Sequence, residues 1–385
     1  MNNFGRLYRF EMRKILRRRI TLVTMIFVVL LMIAMNVGEY VAGSKLVNKE
    51  ENVLAERKVD DQLLSEMREA LEPKTATMED GSKMIIGIGV GDPAYAPLID
   101  YLYTIGGNFD KGYNMTEAGL KQRFDGVIDE ALTIQRLTED ELSYWQARRA
   151  QSPMPLTYGK LQNGWGDSVC IIYVVAILAT IAVAATLSGV FSDEGQYRTD
   201  AVIFSTRNGK KRLVAVKLLS GATVGLLETL VLLLTSVGTE FAISGFGGGD
   251  TSVQFFFGPT AMDMKISTVF LIYFGIMLVI GLLLSAVAMC LSQLTRNSIA
   301  VIAVMMLLWL LSMLNLPYSQ RLLSQIFSYM PVTFLGSWTF SDYRTVRLFG
   351  HLFTILEAAP VLYLLLTAAF AAVTVYNYRR CEVTR

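Results

Sequence analysis

The chain has 385 residues, 53% of them hydrophobic and only 18% charged, which excludes the balance of an ordinary water-soluble domain. Its net charge of +2 conceals a division: residues 38–168 hold 22 acids against 14 bases, and the remainder holds 21 bases against 11 acids. A membrane protein with one polar, acidic insertion follows, with no nucleic-acid partner.

Residues 1–19 come first, with seven bases and one acid. At 100° per residue Phe4, Leu7, Tyr8, Met12, Ile15 and Leu16 share one half of a helix, and Arg6, Arg9, Arg13 and Arg17 share the other. That is an amphipathic elbow helix whose arginines meet the membrane surface, at about 1 kcal/mol per base near anionic lipid. The basic region and the apolar run behind it are both too long for a cleavable signal peptide.

About 20 apolar helical residues cross a bilayer. Six segments qualify: 20–37, 168–191, 218–239, 266–291, 299–316 and 352–378. They lack the alternation of membrane strands, so a closed barrel is excluded. The fold class is an all-α membrane protein. With both termini inside, 17 bases fall on the inner side and four (Lys265, Arg321, Arg344, Arg347) in the short outer loops. The insertion, 38–167, is then extracellular.

The insertion reads as mainly helical. Val47, Val53, Leu54, Leu63, Leu64, Met67 and Leu71 keep helical spacing up to Pro73. "TEAGLKQRFDGVIDEAL" is a second helix, and "TEDELSYWQARRA" a third, opened by a capping box of Thr138 and Glu141. "MIIGIGVGDP" between them is a short strand or a buried turn. Its "GIGVGD", like "GFGGGD" at 245–250, lacks the phosphate-loop pattern and reads as a turn. Tyr158 and Trp165 stand where interfacial aromatics belong. Cys170 and Cys290 lie in spans and Cys381 in the tail, 379–385, so the insertion folds without disulfides. No metal-ligand cluster occurs, and the single histidine, His351, is an interfacial residue.

The loop 192–217 is far longer than a connector needs. Glu194 and Gly195 open it, "RTDAVIFSTR" forms a short amphipathic helix around Ala201, Val202, Ile203 and Phe204, and "NGKKR" turns into the next span. Such a helix with charged ends docks into a groove on another protein. Glu228 lies inside a span, where a carboxylate costs about 2.5–3.5 kcal/mol by insertion scales. It either lines a pathway or is paired within the bundle. Glu357, near Pro360 in the last span, is a second candidate of the same kind. Residues 317–351 form an outer re-entrant or interfacial segment, with Leu322, Leu323, Ile326, Phe327 and Met330 on one helical face.

With Glu194, Gly195 and the stretch "IFSTRNGKKRLVAVKLL", the chain resembles the ABC-2 type transporter permeases. Ser205, Thr206, Lys210, Leu213 and Lys217 align with that family's pattern, and Arg207 stands where it carries a proline. The elbow helix, six spans and large extracellular domain between the first two match one branch of it. The resemblance implies an exporter subunit in a bacterial plasma membrane, itself neither enzyme nor cofactor carrier, working with a separate ATP-binding subunit that holds ATP and Mg. It implies a second permease chain too. Glu194, Gly195, Arg198, Asp200, Phe204, Arg207, Lys210, Lys211 and Arg212 would then couple to the ATPase. Two other readings remain open: an ion-coupled carrier using Glu228, and a membrane-anchored sensing protein whose working part is the insertion. A hydrolase has no nucleophile–base pattern to stand on.

Overall fold

A computed structural model describes residues 3–43, 54, 57–78, 82–151, 156–157, 164–197, 211–314 and 316–380. Helix α1 (Asn3–Leu16) is amphipathic, and Arg6, Arg9, Arg13 and, just past its end, Arg17 are all exposed. Ile15 and Glu11 face inward, and Tyr8 donates to Thr223 Oγ1 at 3.0 Å. A break at Arg17 and Arg18 lets Thr21 donate to the Ile15 carbonyl at 3.0 Å before α2 (Arg19–Gly43) begins.

The insertion is helical with one β-hairpin. Its neck closes where Val59 N–H donates to the Leu156 carbonyl at 2.8 Å. The helix expected up to Pro73 covers only α3 (Asp61–Ala70), capped by Asp60. Residues 44–53 lie outside the described residues. From Leu71 the chain is extended: β1 (Leu71–Thr77) pairs antiparallel with β2 (Lys83–Gly91). Pro73 lacks an N–H for a regular ladder, and the register slips beside it. "GIGVG" is thus a strand, whereas 245–250 is a turn. Short helices α4 (Ala96–Gly106) and α5 (Phe109–Tyr113) lead to α6 (Glu117–Ile134) and α7 (Glu139–Arg149). The capping box is present: Thr138 N–H donates to Glu141 Oε2 at 2.8 Å, and Glu141 N–H to Thr138 Oγ1 at 3.4 Å.

Among the described residues five helices are long and apolar enough to cross a membrane. They are α2, α8 (Gly164–Leu187) with its continuation α9 (Gly189–Gln196), α10 (Arg212–Ser244), α12 (Ile266–Thr295) after the one-turn α11 (Gln254–Phe257), and α16 (Ile355–Arg380). Helix α8 is the most buried and packs against α2, α10, α12 and α13 (Ser298–Ser312). The segment expected at 299–316 stops early. Helix α13 has 15 residues, about 22 Å at 1.5 Å per residue, against a hydrocarbon core of about 30 Å. Asn297 caps its start, accepting from Ile299 N–H at 2.9 Å, and Pro317, which cannot continue a helix, follows its end. Trp165, in the first turn of α8, donates to the Phe246 carbonyl at 2.9 Å.

Between α13 and α16 come α14 (Arg321–Ser328), α15 (Pro331–Phe334) and a hairpin of β3 (Val346–Leu348) and β4 (His351–Phe353). The apolar face of α14 is turned outward, with Leu322 78% exposed, while the small Ser324 is buried. His351 stands exposed on the hairpin, just before the last helix. Three clusters of buried apolar side chains result among the described residues. One lies inside the insertion (Leu63, Leu64, Met67, Leu98, Leu102, Phe124), a second fills the membrane bundle but also takes in Ile128, Leu132 and Trp145 of α6 and α7, and a third (Ile15, Leu187, Phe191, Val214, Met289, Tyr378) closes the end of the bundle beside α1 and α9.

Candidate coupling site

The chain leaves the bundle at α9 and re-enters at α10, so the ends of these helices frame residues 198–210. Helix α8 breaks at Ser188, and hydroxyls hold the broken ends. Ser292 Oγ of α12 donates to the Ser188 carbonyl at 2.5 Å and accepts from the N–H groups of Phe191 and Ser192, both at 3.1 Å. This brings Glu194 of α9 to the same buried lysine of α10 that Glu11 of α1 reaches. At Gly189 a Cβ would stand 2.4 Å from Arg18 Nη1, so any other residue would displace the guanidinium from this position. Arg18 then donates to the Gly189 carbonyl at 3.2 Å and pairs with Asp193 at 2.6 Å.

The centre of the site is Lys217, fully buried in the second turn of α10. Its ammonium donates to the Val190 carbonyl at 2.8 Å. It pairs with Glu194 at 2.7 Å and with Glu11 of α1 at 3.5 Å. The Phe191 ring lies 5.4 Å away. One buried cation thus joins α1, α9 and α10, with two carboxylates and a carbonyl to offset its desolvation. Lys14 borders the cluster, and burial together with the Lys217 charge pushes its amine below the ordinary lysine range.

The expected coupling residues fall into different settings. Glu194 is turned inward to Lys217, and Gly195 is in the last turn of α9. Lys211 and Arg212 are exposed at the start of α10. Arg198, Asp200, Phe204, Arg207 and Lys210 lie outside the described residues, as does Cys381. Glu11 escaped the sequence reading, although it is the only acid in residues 1–19 and so the one candidate there to face a buried base.

Glu228 is buried on α10 against Thr186 of α8. Neither carboxyl oxygen, nor the Thr186 hydroxyl, is in hydrogen-bonding geometry with any described residue. Glu357 is in a different setting. It is exposed in the first turn of α16 and accepts from Thr354 N–H and Oγ1, both at 2.9 Å, as a helix cap. Among the described residues no group of His, Cys, Asp and Glu is placed to hold a metal ion.

Long apolar helices, an amphipathic N-terminal helix and a charge cluster at one end define a multi-pass helical membrane protein. The chain belongs to the ABC-2 family of transporter proteins, whose family model matches residues 6–383. No curated protein and no solved structure matches it. The chain is therefore a membrane component of an ABC transporter.

Proposed function

We propose that this chain is the permease subunit of an ATP-driven exporter in a bacterial plasma membrane, with both termini on the cytoplasmic side. A separate ATP-binding subunit, which holds ATP and Mg, docks on residues 198–210 with Lys211 and Arg212. A second permease chain completes the pathway, the elbow arginines lie on anionic lipid, and the insertion is extracellular. The observation that carries this reading is the Lys217 cluster. A push on the loop between α9 and α10 reaches both membrane helices and α1 at once, because one buried ammonium is bonded to all three.

In this reading Glu194 acts by holding Lys217 rather than by touching the partner, and the loop supplies the docking contacts. The test is co-purification with the candidate ATP-binding subunit, followed by ATP hydrolysis and efflux. Charge reversal at Arg207 and Lys211 should reduce assembly, while the neutral triple variant Lys217→Met, Glu11→Gln, Glu194→Gln should leave assembly intact and cut hydrolysis-driven transport. If both sets of variants assemble and transport normally, the reading is wrong.

The buried carboxyl of Glu228, with no charged partner among the described residues' ion pairs and only the Thr186 hydroxyl beside it, favours a second reading, an ion-coupled carrier. It predicts flux that persists without any ATPase and disappears in Glu228→Gln. Flux that requires ATP and survives in that variant rules it out.

A further inference from the structure

Among the described residues the insertion meets the bundle through apolar packing, through a Tyr101–Phe255 ring contact and through a group of hydrogen bonds at α6 and α7, and the chemistry of that group is concentrated in one carboxylate. Glu141 in the first turn of α7 is buried, with its side chain 3% exposed. Both of its oxygens accept from Arg321 Nη2 at 2.7 Å. Oε1 also accepts from Thr345 N–H at 2.8 Å and Thr345 Oγ1 at 3.0 Å, and Oε2 from Thr138 N–H at 2.8 Å and Thr138 Oγ1 at 3.0 Å. The residue that closes the local capping box is thus also the acceptor for two groups about 200 positions away.

Neighbouring bonds run to the same short stretch. Trp145 Nε1 donates to the Tyr343 carbonyl at 2.6 Å. Gln135 donates to the Ser341 carbonyl at 2.5 Å and accepts from Tyr343 N–H at 2.7 Å. Arg321 Nη1 donates to the Arg136 carbonyl at 2.6 Å, and Arg347 pairs with Asp140 at 2.5 Å on the exposed rim.

The receiving stretch is itself stiff and tied to the membrane helices. Arg344 is 2% exposed and bonded to Asp342 at 2.6 Å, to Ser324 Oγ at 2.6 Å and to Ser328. Tyr363 of α16 donates to the Tyr329 carbonyl at 2.9 Å, and Tyr273 of α12 to the Phe334 carbonyl at 3.4 Å. Thr333 donates to the Ser312 carbonyl at the end of α13. Movement of these helices reaches residues 321–345 directly. The insertion, for its part, has a core of its own around Leu63, Leu98 and Phe124, so its fold does not depend on this junction alone.

We propose that Glu141 and Arg321 are positioning residues for transport: they lock the insertion to the segment before the last membrane helix, so that insertion and helix move as one body. The insertion is then a moving part of the transporter rather than a passive cover. The proposal rests on the transport reading for its consequence, but the lock stands on this geometry alone.

The test uses the full chain in lipid nanodiscs, with its three native cysteines replaced, and spin labels at three exposed positions. Lys121→Cys reports the insertion, Leu365→Cys reports α16, and Val23→Cys reports α2. Without any partner, the Lys121–Leu365 distance distribution should be narrow in the otherwise unaltered chain. It should broaden in Glu141→Gln and in Arg321→Met, and narrow again in Arg321→Lys. An unchanged width in both disrupting variants overturns the lock.

In complex with the ATP-binding subunit, ATP, Mg and vanadate should shift both the Lys121–Val23 and the Leu365–Val23 distances. In Glu141→Gln only the second should shift. A Lys121–Val23 distance that still shifts in that variant overturns the positioning role, which a merely structural contact would not affect. If nucleotide shifts neither distance in any form, the ATP-driven reading fails, and the partner-free widths still decide the lock.

Discussion

At the scale of single residues the two buried ion clusters behave differently from surface pairs. Removing one member of a buried pair leaves its partner charged and unsolvated, at a cost of about 3–5 kcal/mol, whereas replacing all members by neutral groups is close to neutral. Lys217→Met is therefore expected to destabilise the chain by about 3–5 kcal/mol. Adding Glu11→Gln and Glu194→Gln should recover most of that loss, as read by thermal unfolding in detergent. Glu141 gives a prediction with a sign. Burial pushes its carboxyl up, but the Arg321 guanidinium and the Thr138 and Thr345 donors outweigh burial and hold it below the ordinary value of 4.5. A depressed folded-state value means the stabilisation is present above the unfolded value and lost as pH falls through the folded one. The charged groups facing this carboxyl are Arg321 and, on the rim, the Asp140–Arg347 pair. Amide exchange at residues 343–345 is thus expected to rise only at pH below the ordinary carboxylate range, and the step should vanish in Glu141→Gln. Glu141 was legible as a capping residue, because Thr138 and Glu141 are three apart. Its bonds to Arg321 and Thr345 were not, because nothing in a local pattern marks a contact about 200 residues away.

At the scale of elements, small residues decide how closely the helices approach. Without a solvent-driven hydrophobic force between helices in lipid, association relies on close packing. On α10 a Cβ at Gly225 would stand 1.9 Å from Ser285 Oγ of α12, whereas at Gly238 it would meet nothing within 4 Å. Gly225→Ile should therefore lower stability by about 1–3 kcal/mol, and Gly238→Ile on the same helix should not. Paired thermal-unfolding curves check this, and equal losses at the two positions would refute the packing account. Five of the six expected spans are matched by long apolar helices, since uncharged length is a strong signal. The sixth is shorter than expected because composition carries through Leu314 and Leu316, while helix geometry ends at Ser312. Composition also missed the strand at 71–77, where Pro73 stops the helix and β2 supplies a partner.

At the scale of the whole molecule the insertion is joined to the bundle by a shared core. Ile128, Leu132 and Trp145 are buried against membrane-bundle residues, not against the insertion's own core. A fragment of residues 57–157 produced alone is expected to keep its inner core but to expose this apolar face. It should bind the dye ANS strongly, and Ile128→Ser with Leu132→Ser should reduce that binding. Weak dye binding by the unaltered fragment would show that the face is covered from within the insertion.

By itself the sequence determined the class: long uncharged runs can satisfy their backbone only as helices in lipid, and an amphipathic basic helix has a place only at the surface. It also determined local structure set by neighbours three or four residues apart, such as the Thr138–Glu141 cap. The tertiary structure alone decided which charges are spent inside. Lys217 reads as one more base beside a basic loop until folding buries it between Glu11 and Glu194, and Glu194 reads as a surface acid until the break at Ser188 turns it to Lys217. Burial is a property of packed elements distant in sequence, and it is burial that turns these charges from solvated groups into joints.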